Sequence, residues 1–322
     1  MSAAEPGIGE WPTEGLVDDV RPQMFRVADA GETFALATIV AADGGPRPVG
    51  AQMLITAADY WGFLSGGCIE ADVALHAREA IADGQPRRLV YGEGSPFIDI
   101  RLPCGGRIEV ELERVLPDDA AVHDLRRLTQ AREPALWTSD GKHRSCSRDG
   151  VTDPAPRARV RRRYDPAQRL AVVGTDPFAL AIAGLGQRIG WDTVLLAPFA
   201  PEGETPLEVP VLRSAFADSL ASIAPDPWTA IAVATHDLER DREALVPALA
   251  GSAGYVGVLG SRRKLDERRT GLRAAGLREA EIDRLKAPIG LPIGAASPWE
   301  VALAVIAEIV ADARSRTSGE SA

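Results

Sequence analysis

Residues 170–198 read LAVVGTDPFALAIAGLGQRIGWDTVLLAP. Leu170 to Val173 is a short apolar run, Gly174 to Pro177 is turn chemistry, the following residues have helical composition, and Thr193 to Ala197 is apolar again. The alternation continues, since Ala230 to Ala234 and Tyr255 to Leu259 are two more apolar runs, each followed by a helical segment. Short apolar strands alternating with helices specify an α/β domain built on a doubly wound parallel sheet. We place this Rossmann-like domain at residues 168–315, with 316–322 as a flexible tail.

The last helix of that domain is well marked. Ser297 can cap it, with Pro298 as the first helical residue and Glu300 as the third, a capping box with proline where its missing N–H is harmless. The run VALAVIAEIVADAR then puts Val301, Val305, Ile306, Ile309 and Val310 toward the core.

Upstream the spacing is hairpin-like. A helix over Leu16–Gly31 precedes strands at Thr33–Ala42, Gln52–Thr56 and Tyr60–Leu64. A helix over Ile69–Ala82 stops at Gly84, strands follow at Arg88–Tyr91, Phe97–Ile100 and Arg107–Leu112, and a helix spans Asp119–Arg132. Residues 1–150 are therefore expected as a separate α/β domain, joined through a Pro- and Arg-rich linker at 151–167.

A length of 322 residues suits two domains of roughly 150 residues each. Lys and Arg total 36 against 46 Asp and Glu, a formal charge of −10, which repels phosphate backbones and anionic lipid. Nucleic acid and membranes are thereby excluded as main partners. Three cysteines, Cys68, Cys104 and Cys146, cannot all pair within one chain, which suits a reducing compartment. With no basic-then-apolar leader and no long uncharged apolar run, a cytoplasmic, soluble protein is expected.

Several loops carry residues suited to ligands. In Asp43-Gly-Gly-Pro-Arg-Pro-Val-Gly50, turn chemistry explains every residue except Arg47, a guanidinium suited to phosphate or carboxylate. Ser65-Gly66-Gly67-Cys68-Ile69-Glu70 leads from a strand into a helix, where free N–H groups favour an anion and lower a thiol toward the thiolate. The competing reading is a small buried cysteine beside turn glycines. Cys104 also stands beside glycines, in Leu102-Pro-Cys-Gly-Gly106, whereas Cys146 lies among Ser and Arg and has no such setting. No CxxC or HExxH spacing supports a structural zinc site.

In the second domain, Gly174-Thr-Asp-Pro177 puts Asp176 where a dinucleotide site has its second glycine, and Leu196-Ala197-Pro198 ends a strand without the ribose-binding acid. The next strands end at Thr235-His236-Asp237 and at Gly260-Ser261-Arg262-Arg263-Lys264, at the crevice end of a parallel sheet. These residues read as an anion trap in preference to helix caps with solvated cations, and His236 equally as a titrating or a packing histidine. The apolar loop Pro288–Ala295 holds no titratable group and shapes a crevice or an interface.

Together PRPVGAQM (46–53), GFLSGGCIE (62–70), LPCGGRIEV (102–110), ATHD (234–237), GYVGVLGSRRK (254–264), PIGLPIGA (288–295) and SPWEVALAVIAEI (297–309) resemble the xanthine dehydrogenase accessory protein family, XdhC/CoxI. The resemblance spans both domains in order. It implies a protein that binds molybdenum cofactor of the molybdopterin type and passes it, in sulfurated form, to a molybdenum hydroxylase of the xanthine dehydrogenase or CO dehydrogenase type. It further implies a homo-oligomer, a cysteine desulfurase as a second partner, and a cofactor-insertion chaperone in place of a catalyst. The matching positions are Arg47, Ser65, Gly66, Gly67, Cys68, Glu70 and Cys104 in the first domain, and His236, Asp237, Gly260, Ser261, Arg262 and Arg263 in the second. The chain departs from the family's GAGH-like turn at Gly174–Pro177 and from its acid-then-Arg pattern at Ala197–Phe199, which counts against NAD(P). The alternative function is an NAD(P)-dependent oxidoreductase using the Rossmann-like domain.

Overall fold

In the computed structural model, the β-branched run after Thr33 is the central strand of the first of two compact units, Met1–Pro166 and Ala167–Ala322. The structure describes residues 13–44, 47–93, 95, 106–150, 158–203, 205 and 207–319.

The first unit begins with α1 (Arg21–Asp29), β1 (Phe34–Asp43), β2 (Gln52–Ile55), β3 (Tyr60–Gly62), α2 (Glu70–Asp83), β4 (Arg87–Tyr91) and β5 (Arg107–Val115). The expected opening helix is shorter than its sequence span, because Pro22 takes a position in its first turn, where the missing N–H is harmless. The five strands form an antiparallel sheet in the order β3-β2-β1-β5-β4. β1 and β5 pair from Phe34 opposite Val115 to Asp43 opposite Arg107, with a bulge between Ile39 and Ala41. Period-two alternation splits β1: Ala35, Ala37 and Ile39 meet Val73 and Ala77 of α2, while Phe34 and Leu36 join a second core with Met24 of α1. The strand expected at Phe97–Ile100 lies outside the described residues.

Next come α3 (Ala120–Gln130), β6 (Ala135–Ser139), β7 (Arg144–Arg148) and β8 (Val160–Tyr164), the strands forming a sheet in the order β7-β6-β8. Here the structure corrects the reading of 151–167 as linker, since β8 pairs with β6 from Ala135 opposite Tyr164 to Ser139 opposite Val160. Three arginines, Arg161 to Arg163, hid this strand, and such charge belongs on an exposed sheet edge. Tyr164 anchors it: the ring lies under Arg21 and Arg162 at 5.4 and 5.3 Å, and the hydroxyl donates to Gln52 Oε1 at 2.6 Å. Cys146 on β7 is a buried member of the second core.

The second unit contains β9 (Arg169–Val173), α4 (Pro177–Arg188), β10 (Asp192–Leu196), β11 (Val211–Leu212), α5 (Phe216–Ile223), β12 (Thr229–Val233), α6 (Leu238–Ala250), β13 (Tyr255–Val258), α7 (Leu265–Ala274), α8 (Glu279–Ile282), β14 (Leu285–Lys286) and α9 (Pro298–Gly319). Its sheet is parallel throughout, ordered β11-β10-β9-β12-β13-β14, so the winding reverses between β9 and β12. α4 and α9 cover one face, where Ile182 and Ala183 pack with Ala302, Val305 and Ile309. α5, α6, α7 and α8 cover the other through Leu220, Leu245, Leu272 and Ile282. Val310, expected on the packed side of α9, is 42% exposed, because it falls nearly opposite Val301 and Glu308 on the helical wheel. Residues 316–319, expected as tail, continue α9. No helix among the described residues is long and apolar enough to cross a membrane.

Candidate functional site

Strand direction decides which loops of the first unit can share a site. β1 and β3 run the same way, each antiparallel to β2, while β5 opposes β1 and β4 opposes β5. The exits of β1, β3 and β4 and the start of β5 therefore lie at one end of the sheet. Arg47 follows β1 there, and Ser65 to Cys68 follow β3. The junction is crowded: a Cβ on Gly92 would lie 1.9 Å from the Gly106 carbonyl oxygen, and one on Gly106 would lie 2.5 Å from that of Gly44. Cys104 lies outside the described residues.

The loop from β3 to α2 is built around one carboxylate. Glu70, the first residue of α2, turns back and accepts N–H bonds from Leu64 (2.9 Å), Ser65 (2.7 Å), Gly66 (3.2 Å), Gly67 (2.9 Å) and Ile69 (3.2 Å), plus the Ser65 hydroxyl at 2.8 Å. Ser65 Oγ in turn accepts from the N–H groups of Cys68 and Ile69. Burial pushes the Glu70 carboxyl up, but the bonds from Ser65 and Leu64 outweigh it and the net shift is downward. Gly66 and Gly67 hold φ of +93° and +112°, the left-handed geometry that lets successive amides face inward. The amides expected to face an external anion are thus committed to the chain's own carboxylate. Cys68 remains at the tip as an exposed free thiol.

Arg47 is fixed beside this loop's root. Its guanidinium lies 4.5 Å from the centre of the Phe63 ring and pairs with Asp18, and its Nε is buried without a hydrogen-bond partner. Phe63 leads directly into Leu64 and Ser65, so one strand exit carries both the stacked guanidinium and the thiol loop.

At the switch point of the second unit, Gly174 is required by packing, because a Cβ there would lie 2.3 Å from the Ala234 carbonyl oxygen. Asp176 caps α4, accepting the Ala179 N–H at 2.8 Å, and its Oδ2 lies 2.5 Å from His236 Nε2. His236 has a φ of +58° and sets its ring edge-on to Phe178. Asp237 caps α6 through the Glu239 and Arg240 N–H groups, and the Arg240 bond first, opposed by slight burial, lowers its carboxyl. The crevice between these turns is lined by Leu196, Ala197, Phe199, Phe216 and Arg240, with the Arg240 guanidinium 4.4 Å from the Phe199 ring centre.

Ser261 makes no side-chain cap, since the chain first forms a 3-10 turn over Arg262–Lys264, and Arg262, Arg263 and Lys264 are exposed. The charge beneath Gly260 is Arg268, which pairs with Asp241; Asp241 also accepts the Thr235 hydroxyl at 2.6 Å. Sequence reasoning missed this buried pair. The signal was there: Arg268 sits between Leu265 and Leu272 on the apolar stripe of α7, where a cation needs a buried partner. Among the described residues no three His, Cys, Asp or Glu side chains gather as a metal site.

Two family profiles match this chain: XdhC and CoxI family over residues 27–92, and XdhC Rossmann domain over 170–309. The molybdenum cofactor insertion chaperone PaoD of Escherichia coli K12 is 32% identical over 301 residues, 91% of this chain and 89% of that protein. The chain belongs to the XdhC/CoxI family. Another relative, a probable xanthine dehydrogenase subunit of Bacillus subtilis 168, is 25% identical over 87% of this chain and 93% of its own. A crystal structure of a xanthine dehydrogenase from Bacillus halodurans shares the fold, with a TM-score of 0.70 and 23% identity over 92% of this XdhC/CoxI chain and 96% of its own.

Proposed function

We propose that this XdhC/CoxI protein is a molybdenum cofactor insertion chaperone that holds the molybdopterin-type cofactor as cargo and delivers it, in sulfurated form, to a molybdenum hydroxylase of the xanthine dehydrogenase or CO dehydrogenase type. The observation that carries this is the 32% identity to PaoD along nearly the whole of both chains. Local geometry supports it: an exposed thiol and a stacked guanidinium with a buried, unpartnered Nε share one strand exit of the first unit. Arg47 suits the pterin's phosphate, and the Cys68 thiolate suits a soft metal centre. Glu70 shapes the loop that presents the thiol and does not touch the cargo. Cys104, a cysteine desulfurase as sulfur source and a cytoplasmic setting belong to the same reading.

The test is retention of cargo. Protein purified from cofactor-producing cells should carry molybdenum and pterin, and Cys68→Ser should lose most of both while Cys146→Ser keeps them. In a Cys104→Ser background, Cys68 should alkylate in the folded protein and Cys146 only after unfolding, because burial pushes the Cys146 thiol up to about 12. Absence of molybdenum and pterin, together with failure to activate an apo-hydroxylase, would refute the proposal.

A further inference from the structure

Arg162 carries a charge that no acid among the described residues answers. On β8 it shares the inward parity of Val160 and Tyr164, with its guanidinium 5.3 Å from the centre of the Tyr164 ring. Among the described residues it makes no ion pair and no hydrogen bond, and its Nε is buried without an acceptor, as is that of Arg47. A buried N–H left without an acceptor is a cost that folds ordinarily avoid. The loop that carries Arg47 runs against this side chain: Gly50, near its end, holds a φ of +88°, and a Cβ there would lie 2.9 Å from Arg162 Nη1. Residue 162 falls outside both matched profiles, 27–92 and 170–309.

The segment before α1 joins the two arginines a second time. Asp18 pairs with Arg47 and its neighbour Asp19 with Arg21, while the Arg21 guanidinium lies 5.4 Å from the centre of the same Tyr164 ring. Three guanidiniums thus gather around two carboxylates, with one positive charge left over. Asp19 is tied to both the side chain and the backbone N–H of Arg21, whereas Asp18 is 75% exposed and is the carboxylate that an incoming anion can displace. With Asp18 off Arg47 the surplus is two charges, which a phosphate monoester, at about −1.5 to −2 near neutrality, balances. A carboxylate ligand would balance half of it. We propose that Arg162 is a second phosphate-binding residue beside Arg47, and that the phosphate takes the place of Asp18. This rests on the reading of Arg47 as the residue that meets the phosphate of the cargo.

Phenylglyoxal modification followed by peptide mass spectrometry reads the arginines one by one in the cargo-free full chain. Inorganic phosphate, exchanged for chloride at constant ionic strength, should slow modification of Arg47 and Arg162 severalfold and leave Arg148, 63% exposed on β7, unchanged. In phosphate titrations Arg162→Gln should weaken binding at least about tenfold, the worth of one contact to a charged group, and Asp18→Asn should strengthen it. Because Arg162→Gln also removes the stack on Tyr164, its thermal midpoint is measured beside it; if that variant fails to fold, protection of the wild-type arginines and the sign of the Asp18→Asn effect decide. Protection of Arg47 alone, a folded Arg162→Gln with unchanged phosphate affinity, or weaker binding by Asp18→Asn would each overturn the proposal while leaving the cargo reading intact. Protection of both arginines in a protein that never carries molybdenum or pterin would uphold the phosphate site and overturn the cargo reading instead.

Discussion

Glu70 and Glu111 are both nearly inaccessible, 6% and 2% exposed, and differ in what surrounds them. Glu70 accepts five backbone N–H bonds and a hydroxyl, which hold it below its ordinary value despite burial. Both oxygens of Glu111, on β5, lack any hydrogen bond, and Arg88 and Arg159 stand off at 3.6 and 3.8 Å. Burial therefore pushes Glu111 up, the two arginines oppose it, and Glu113 and Glu109 add to the rise. The signs oppose each other. A lowered carboxyl contributes stability above its unfolded value that is lost as pH falls through the folded one; a raised carboxyl contributes stability below its unfolded value that is lost as pH climbs through the folded one. Glu70→Gln should thus cost on the order of 2–4 kcal/mol near neutrality. Glu111→Gln should gain about 1 kcal/mol at about pH 8 and progressively less toward pH 5. Urea midpoints across that range decide it, and a gain for Glu111→Gln that ignores pH would show that charge burial is not its cause. The sequence revealed the Ser65–Cys68 turn from its glycines. It did not reveal that Glu70 fills the nest, because the same carboxylate could equally face outward.

Among the elements, those with a strong local signature were legible and those held by tertiary pairing were not. Four of the six parallel strands read directly as apolar runs, and the Ser297 capping box marks the start of α9, with Glu300 accepting the Ser297 N–H at 2.9 Å. β11 and β14 have only two residues each, too short for any periodicity to register. β8 was missed because its arginines obey edge protection, not burial. The residues of the turn before α4 count against NAD(P), and Asp176 adds a structural reason: it already accepts a backbone N–H at the helix terminus that would bind phosphate. The three residues directly after β10, Ala197 to Phe199, include no acid to hold a ribose, and Phe199 is 60% exposed. NAD and NADP should therefore bind no tighter than about millimolar in calorimetric titration. Asp176→Asn, which keeps a competent cap, should shift stability by less than about 1 kcal/mol. Micromolar affinity for either dinucleotide would show that the carboxylate is not the barrier it is taken for.

At the scale of the whole chain, hydrophobic burial is partitioned. Two clusters, on opposite faces of the five-stranded sheet, draw every buried member from residues 20–164, and two more, on opposite faces of the parallel sheet, draw theirs from 170–309. The division falls between Pro166 and Ala167, after β8 has closed the small sheet, so a cut ahead of β8 in the expected 151–167 linker would strip Val160 and Tyr164 from the core they belong to. Fragments 1–166 and 167–322 should each unfold cooperatively in urea, each with a slope near what its own length exposes. A fragment ending at residue 150 should not, because Gln52 Oε1 would lose the Tyr164 hydroxyl and Trp137 would lose the Val160–Tyr164 strand beside it. The fragments also separate two parts of the functional reading, for Cys68 and Arg47 stand on the first and the crevice of Asp176 and His236 on the second. If 1–166 folds and still retains pterin, cargo binding belongs to the thiol loop. Should only the full chain retain it, the second unit supplies contacts that neither fragment holds alone. A molten 167–322 would mean that the six-stranded sheet depends on the rest of the chain, against the self-contained cores on which this expectation stands.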